Sequence, residues 1–501
     1  MAKRKATTGA AAPAPKASSS KPQGKRARFD GPPPAAPSTK KASAPAPKSK
    51  QAKQAAKIPK TVPTPPAPAT FTVSAGSYER LLYGLSCNFE PVPSTSTGLP
   101  YTLAVTPVFS FPAHLSSLKS VAGSLLPSPG TGSERKVGGK YLVSGGTDEV
   151  VKVWDLRRRK EVGTLEGDTA GNITCLRFVA QRNMLLAAST ESGITLYRVR
   201  DWVLLRSLKG HKGRVNSVDA HPDGRVALSV GQDKMLRMWD LVAGKAVATM
   251  KIGTEGDLVR WNTDGTKFAI ICGSNLTVYG IDMTVLHSLQ APSRFHDVHF
   301  CYFPLDVTDP TQCEYLFVAC EDGKTRVFDV TSPSTPVDDP SADPEALPTL
   351  EPIAQLSGHA NRVKMLDLLE VALPGSTVEE PASTVVVTSV SSDGKINLYD
   401  LAILASKKTA LPAGSTELID IEPSASHDTE GTRLTCVNAV GMAAVKKGAN
   451  VGEEEEDDEE SDSEDDSEED GEDIAFGSED ELEGEEESEA EEEEEEEGEE
   501  E

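Results

Sequence analysis

Residues 70–445 are predicted to fold as an all-β propeller of seven four-stranded blades, flanked by two charged segments, 1–69 and 446–501. Three observations carry this prediction. A strand-turn-strand phrase recurs at nearly constant spacing, a further copy is split between the chain's extremities, and the charge is partitioned so that only the middle is near neutral.

The clear copies are "YLVSGGTDEVVKVWDL" (141–156), "ALSVGQDKMLRMWDL" (227–241) and "VVTSVSSDGKINLYDL" (386–401). Weaker ones are "LAASTESGITLYRV" (186–199), "FAIICGSNLTVYGI" (268–281) and "FVACEDGKTRVFDV" (317–330). Their closing aromatics are Trp154, Tyr197, Trp239, Tyr279, Phe328 and Tyr399, spaced by 43, 42, 40, 49 and 71 residues. The first three intervals match the ~40–45 residues of one four-stranded blade. The longer two point to insertions, and residues 331–352 and 372–383, rich in Pro, Asp, Ser or Glu, read as surface loops. Inside each copy, short runs of Val, Leu and Ile alternate with polar residues and are separated by tight turns, which is strand patterning.

Six copies are complete and a seventh is divided. "RLTCVNAVGM" (433–442) reads as a first strand with no blade after it. "FTVSAGSYERLLYGLSCNF" (71–89), followed by "YTLAVTP", reads as a blade lacking its first strand. Pairing the two completes seven blades and removes the open edges that invite aggregation.

The flanks differ in kind. Residues 1–69 carry 15 Lys and Arg against the single acid Asp30, a charge of +14. Residues 451–501 carry 35 Asp and Glu and no Lys or Arg, leaving −6 of the chain's −27 for residues 70–450. Both flanks have too few apolar side chains to offset an ordering entropy of roughly 1–2 kcal/mol per residue, so both are expected to be disordered. The seven cysteines never form Cys-x-x-Cys, which disfavours a disulfide framework or zinc site and suits a reducing compartment. No signal peptide is read in "MAKRKATTGAAAPAPK", and no run of about 18 apolar residues suggests a membrane span.

Within "KGHKGRVNSVDAHPDGRVALSVGQDKMLRMWDL" (209–241), a Ser, a His and an Asp could suggest a hydrolase. The set recurs, however, while catalysis needs it once. The region resembles WD-repeat proteins, and the resemblance implies that these residues and a third-strand aromatic form a buried hydrogen-bonded chain. The sets are His211, Ser229, Asp233 and Trp239; His114, Ser144, Asp148 and Trp154; and His359, Ser389 and Asp393 with Tyr399 in the aromatic place. It also implies that the turns carrying the His and Asp emerge on one face. There, "GHKGRV" and "GHANRV" place Arg214 and Arg362 at one offset, with Lys212, Lys234 and Asn361 nearby, as candidate partner contacts.

Other chemistry is not signalled. "GTGSERKVGGKY" (130–141) lacks the Gly-Lys-Ser/Thr of a phosphate loop, and His296 and His299 would point to opposite faces of a strand. There is no Gly-x-Ser-x-Gly elbow, His-Glu-x-x-His or paired-carboxylate signature. Nothing argues for an enzyme, and no metal or cofactor is implied.

"HKGRVNSVDAHPDGRVALSVGQDKMLRMWDLVAGKA", "ITCLRF", "NRVKMLDL", "TSVSSDGKINLYDL", "RLTCV" and "SAGSYERLLYGL" together resemble one family, the maintenance-of-killer WD-repeat protein of fungi with its animal counterpart, the p21-activated-kinase-interacting protein. The resemblance covers roughly 71–442. It implies a non-enzymatic nucleolar assembly factor of the large (60S) ribosomal subunit, bound to pre-60S proteins near a ribosomal-protein-like factor. The alternative it implies is binding and inhibition of a p21-activated-type kinase; a histone-binding or ubiquitin-ligase-adaptor propeller is a third reading. The flanks suit the first. Lys3, Arg4 and Lys5, and Lys25, Arg26 and Arg28, are candidate contacts for a nuclear import receptor, and the dispersed lysines for rRNA phosphates. Ser461, Ser463, Ser467, Ser478 and Ser488 each precede an acid by three positions, a context for acid-directed kinases. A nuclear and nucleolar monomer within a large complex, away from membranes, is expected.

Overall fold

In the computed structural model, the strand of residues 434–441 lies against that of residues 70–77, so the ends of the folded region meet. The structure describes residues 67–92, 99–126, 136–165, 171–304, 313–331, 350–376, 382–412 and 417–442, all within one unit, Pro63–Glu501. These form seven antiparallel sheets arranged as a ring of blades. The closing blade takes Leu434–Gly441 as its first strand, followed by Thr70–Ser77, Leu81–Pro91 and Tyr101–Pro112. Its register sets Phe71 opposite Gly441, Val73 opposite Ala439 and Ser77 opposite Leu434.

The other six follow in chain order. Their first strands are Leu118–Leu125, Ile173–Val179, Val215–Ala220, Leu258–Trp261, Phe295–Phe303 and Val363–Ala372, opening blades two to seven. Strands alternate because apolar residues sit at period two, but both faces of each sheet are covered by neighbours, so the second strands read as nearly continuous hydrophobic runs. "MLLAAS" (184–189) is buried throughout.

Packing is between blades rather than within one central core. Seven apolar clusters are found among the described residues, each bridging two neighbours. Leu228, Val230 and Leu236 of blade four, for example, meet Val259, Trp261 and Phe268 of blade five. Side chains of the innermost strands cross every junction as well. Ser120 accepts from the Leu176 amide (2.9 Å), Thr174 donates to the Val215 carbonyl (2.6 Å), and Asp219 accepts from the Trp261 amide (2.8 Å). Arg260 pairs with Asp297 (3.2 Å), and the other oxygen of Asp297 accepts from the Leu366 amide (2.9 Å). Asp367 accepts from the Ala439 amide (2.7 Å), and Thr435 donates to the Leu118 carbonyl (2.8 Å), which completes the circle.

Two departures from the simple blade lie together. Blade seven's third strand, Lys395–Asp400, runs into the only α-helix of the described residues, Leu401–Ala410, which the sequence reading did not anticipate. "LAILASKKTA" is rich in good helix formers, Asp400 caps its start by accepting from the Ala402 amide (2.9 Å), and Lys407 and Lys408 sit in its last turn. The chain then adds Ile419–Ile421 in parallel to the outer strand of blade six, Pro352–Leu356, before returning as blade seven's outer strand, Ala425–Asp428. Of the expected surface loops, residues 332–349 and 377–381 lie outside the described residues, as do residues 1–66 and 443–501.

If Leu434–Gly441 completes the ring, ending the chain after Met442 should preserve the melting temperature, whereas ending it after Thr432 should abolish cooperative unfolding and drive the protein into aggregates. Circular dichroism melts and size-exclusion chromatography of the two truncations check this.

Candidate functional site

Because every blade is antiparallel, the turn between its second and third strands and the connection into the next blade's first strand emerge on one face of the ring. That face, called upper here, carries the repeated His and Asp residues. His211 stands in the connection before Val215, and Asp233 in the turn after Gly231.

In blade four the chain is continuous. Trp239 Nε1 donates to Ser229 Oγ (2.7 Å), Ser229 Oγ lies 2.7 Å from His211 Nε2, and His211 Nδ1 lies 2.9 Å from both oxygens of Asp233. An ionised carboxylate only accepts, so Nδ1 carries the imidazole proton and Nε2 takes the serine's. Asp233 also accepts from the amides of Lys212 (3.1 Å) and Met235 (3.3 Å), tying the connection to the turn. Blade two repeats this with Trp154, Ser144, His114 and Asp148 at 2.8, 2.7 and 2.9 Å. In blade seven His359 reaches Ser389 (2.7 Å) and Asp393 (3.2 Å), but the aromatic differs. Tyr399 shares the register of the tryptophans, yet its hydroxyl donates to the Ser357 carbonyl (2.7 Å) rather than to Ser389. A phenol oxygen extends further from the ring than an indole nitrogen, so it overreaches the serine and takes a backbone acceptor.

Burial holds the imidazoles of His114, His211 and His359 below their ordinary pKa, against the pull of their aspartates. Burial alone would raise the carboxyls of Asp233 and Asp393, but the hydrogen bonds from histidine and backbone amides outweigh it and hold both below the usual range. The hydrogen-bonding capacity of these residues is thus directed inward, and what the upper face presents is the rim around them.

On that rim Arg214 and Arg362 occupy the last position before the first strands of blades four and seven. Arg214 meets Glu255 (2.6 Å) and Asn216 (2.8 Å). Arg362 meets Glu321 (3.6 Å) and Ser392 (3.3 Å). Lys212, Lys234 and Asn361 are exposed beside them, Lys234 in a left-handed turn conformation (φ 62°). The five therefore form two groups, on blades four and seven. Two residues missed by the sequence reading connect the pattern. Arg294 immediately precedes Phe295 and pairs with Asp257 (2.9 Å); Arg433 immediately precedes Leu434, pairs with Glu79 (3.0 Å) and covers the Tyr78 ring (4.3 Å). Four blades thus place an arginine at one register position, each paired to an acid and about half exposed. The signal was present, since "SRF" and "TRL" align with "GRV" and "NRV" once the first strands are superposed. Exposed ion pairs add only ~0–1 kcal/mol to stability, so these arginines are available to a partner. Leu115, 86% exposed at the position held by Lys212 and Ala360 in the other sets, adds an apolar contact to this face.

Elsewhere, His296 lies on the strand Phe295–Phe303, 3.2 Å from Glu321; burial and the nearby Lys364 push its imidazole down to about 4. No group of three metal-ligating side chains is found among the described residues. Lys3, Arg4, Lys5, Lys25, Arg26 and Arg28, and Ser461, Ser463, Ser467, Ser478 and Ser488, lie outside the described residues.

Comparisons with known proteins agree with this architecture. The family model "WD domain, G-beta repeat" matches residues 105–155 and 202–240. The chain is 28% identical to the Gallus gallus "p21-activated protein kinase-interacting protein 1-like" over 65% of its length and 72% of the relative's. It is 28% identical to "Protein MAK11" of Saccharomyces cerevisiae, covering 66% and 78%, and 27% identical to "Shk1 kinase-binding protein 15" of Schizosaccharomyces pombe, covering 44% and 58%.

Asp233→Ala should lower stability by about 1–3 kcal/mol, because it strands a buried imidazole N–H and the Lys212 amide; equilibrium denaturation measures this. Acid should act in the same direction. The unfolded chain protonates histidine near its ordinary 6.5, while the folded imidazoles resist it, so stability is full above that value. It should fall as the pH drops from 6.5 towards 4, and further as Asp233 and Asp393 protonate below 3.8. Melts across pH 4–8 check the sign.

Proposed function

This chain belongs to the WD-repeat family of the p21-activated-kinase-interacting and MAK11 proteins, and from that premise we propose that it is a binding scaffold for assembly of the large ribosomal subunit in the nucleolus. One observation carries the reading. The two ends of the ring meet on the lower face, where the Met442 amide donates to the Thr70 carbonyl (2.8 Å). The +14 segment and the −35 segment therefore join the ring at adjacent points, opposite the arginine-bearing face. A basic segment suits rRNA phosphates and import receptors, and an acidic one suits basic ribosomal proteins. Between them a rigid ring docks pre-60S proteins, including a ribosomal-protein-like factor, through Lys212, Arg214, Lys234, Asn361 and Arg362.

A second reading is supported by the names of the relatives, which describe kinase-interacting and kinase-binding proteins. In it the chain binds and restrains a p21-activated-type kinase.

Tagged full-length protein, fractionated on a sucrose gradient, separates the two. The first reading expects co-sedimentation with large-subunit precursor rRNA and proteins, and nucleolar fluorescence that is lost when residues 1–30 are deleted. Recovery only in a soluble complex with a kinase supports the second reading and overturns the first. Reversing both Arg214 and Arg362 to Glu should reduce recovery of protein partners several-fold at unchanged melting temperature; undiminished recovery of every partner removes these residues from the docking surface.

A further inference from the structure

The lower face holds a cavity of about 540 Å3 at the place where blade seven departs from the common pattern. Its walls come from the closing blade and from the inserted helix and strand. Phe89, Tyr101 and Leu103 lie on one side, Ile403 and Pro423 on the other, and Asp400, Asp420 and Glu422 supply the charge. The one lysine in the lining, Lys407, already donates to the Asp420 carbonyl (2.7 Å).

Asp400 is the unusual member. Aspartates at the same place in the repeat close the lower turns of other blades with one oxygen. Asp155 accepts from the amides of Arg157 and Arg158, and Asp240 from those of Val242 and Ala243. Asp400 Oδ1 does the same work, accepting from Thr384 Oγ1 (2.6 Å) and the Ala402 amide (2.9 Å). Its Oδ2 is buried with no hydrogen-bond partner, in a residue only 2% exposed. No lysine, arginine or histidine pairs with it among the described residues. Burial raises the Asp400 carboxyl and, with Asp400 beside it, the Tyr101 phenol, so the site as it stands disfavours its own negative charge. Next to it Phe89 and Tyr101 form an edge-to-face pair with centroids 5.1 Å apart.

We propose that this cavity is an anchor site for an arginine side chain of a basic protein partner. The guanidinium supplies donors to Asp400 Oδ2, its planar face rests on the aromatic pair, and the methylenes of its stem lie along Leu103, Ile403 and Pro423. Asp420 and Glu422 at the mouth favour a basic segment and repel nucleic-acid phosphate. The site is separate from the arginine-bearing upper face and stands whichever partner that face takes.

The test uses the full-length chain and a photoreactive probe, a Gly/Ser peptide with benzoylphenylalanine next to one arginine, against the same peptide carrying glutamate. Crosslinks are mapped by mass spectrometry, which separates the cavity from the acidic residues 451–501. The arginine peptide is expected to label residues 99–103 and 400–407. Labelling there should fall at least tenfold with Asp400→Asn, which keeps a cap for the helix, and with Ile403→Trp, which fills the cavity without changing charge. Melting temperatures verify that each variant is folded, and either one that is folded decides the matter. Labelling confined to 451–501, equal labelling by the glutamate peptide, yields unchanged in the variants, or crosslinking of a decauridine RNA at the cavity would each overturn the proposal.

Discussion

Every junction between neighbouring blades is crossed by a side chain of an innermost strand, and the last junction is made only when Leu434–Gly441 enters the ring. Until then the strand Thr70–Ser77 has an open edge, and Asp367 lacks the Ala439 amide and the Asn438 side chain that it holds in the folded protein. Asp367 also pairs with Lys136 of blade two, so one carboxylate gathers groups from blade seven, the closing strand and the blade beyond it. Removing one partner of a buried ion pair is far more costly than the pair's net contribution. The ring is therefore held most strictly where the chain's two ends meet.

Closure explains why the upper face can be rigid while being made of short turns. The Trp-Ser-His-Asp chains fasten each turn to the connection beside it, and the inter-blade clusters fix neighbouring turns relative to one another. Arginines at one register position in four blades are consequently presented at fixed places, which suits docking more than chemistry. The lower face obeys different rules. There the third-to-fourth-strand turns are closed by an aspartate, and lengthening one of them in blade seven turned that aspartate into a helix cap and opened a cavity beside it.

Much of this was legible in the sequence because a propeller repeats its reasons. The seven blades, the divided copy and the recurring His-Ser-Asp sets each appear more than once, and repetition distinguishes a structural set from a catalytic one. Unique features were hidden for the opposite reason. The helix Leu401–Ala410 follows the last aromatic of the pattern, so no spacing marks it, and its hydrophobic residues resemble those of a strand over a short window. Arg294 and Arg433 escaped notice because they belong to copies whose His and Asp positions are absent, although their place before a first strand was readable. The diversion of the Tyr399 hydroxyl to Ser357 depends on side-chain reach, which spacing does not encode.

Amide hydrogen exchange of the full-length protein, resolved by peptide, tests the closing of the ring directly. Amides of 434–441 bonded to 71–77 should exchange only through global unfolding, at the rate of the innermost strand 215–220 of blade four. Exchange of 434–441 at the rate of a free chain end, while 215–220 stays protected, would contradict it.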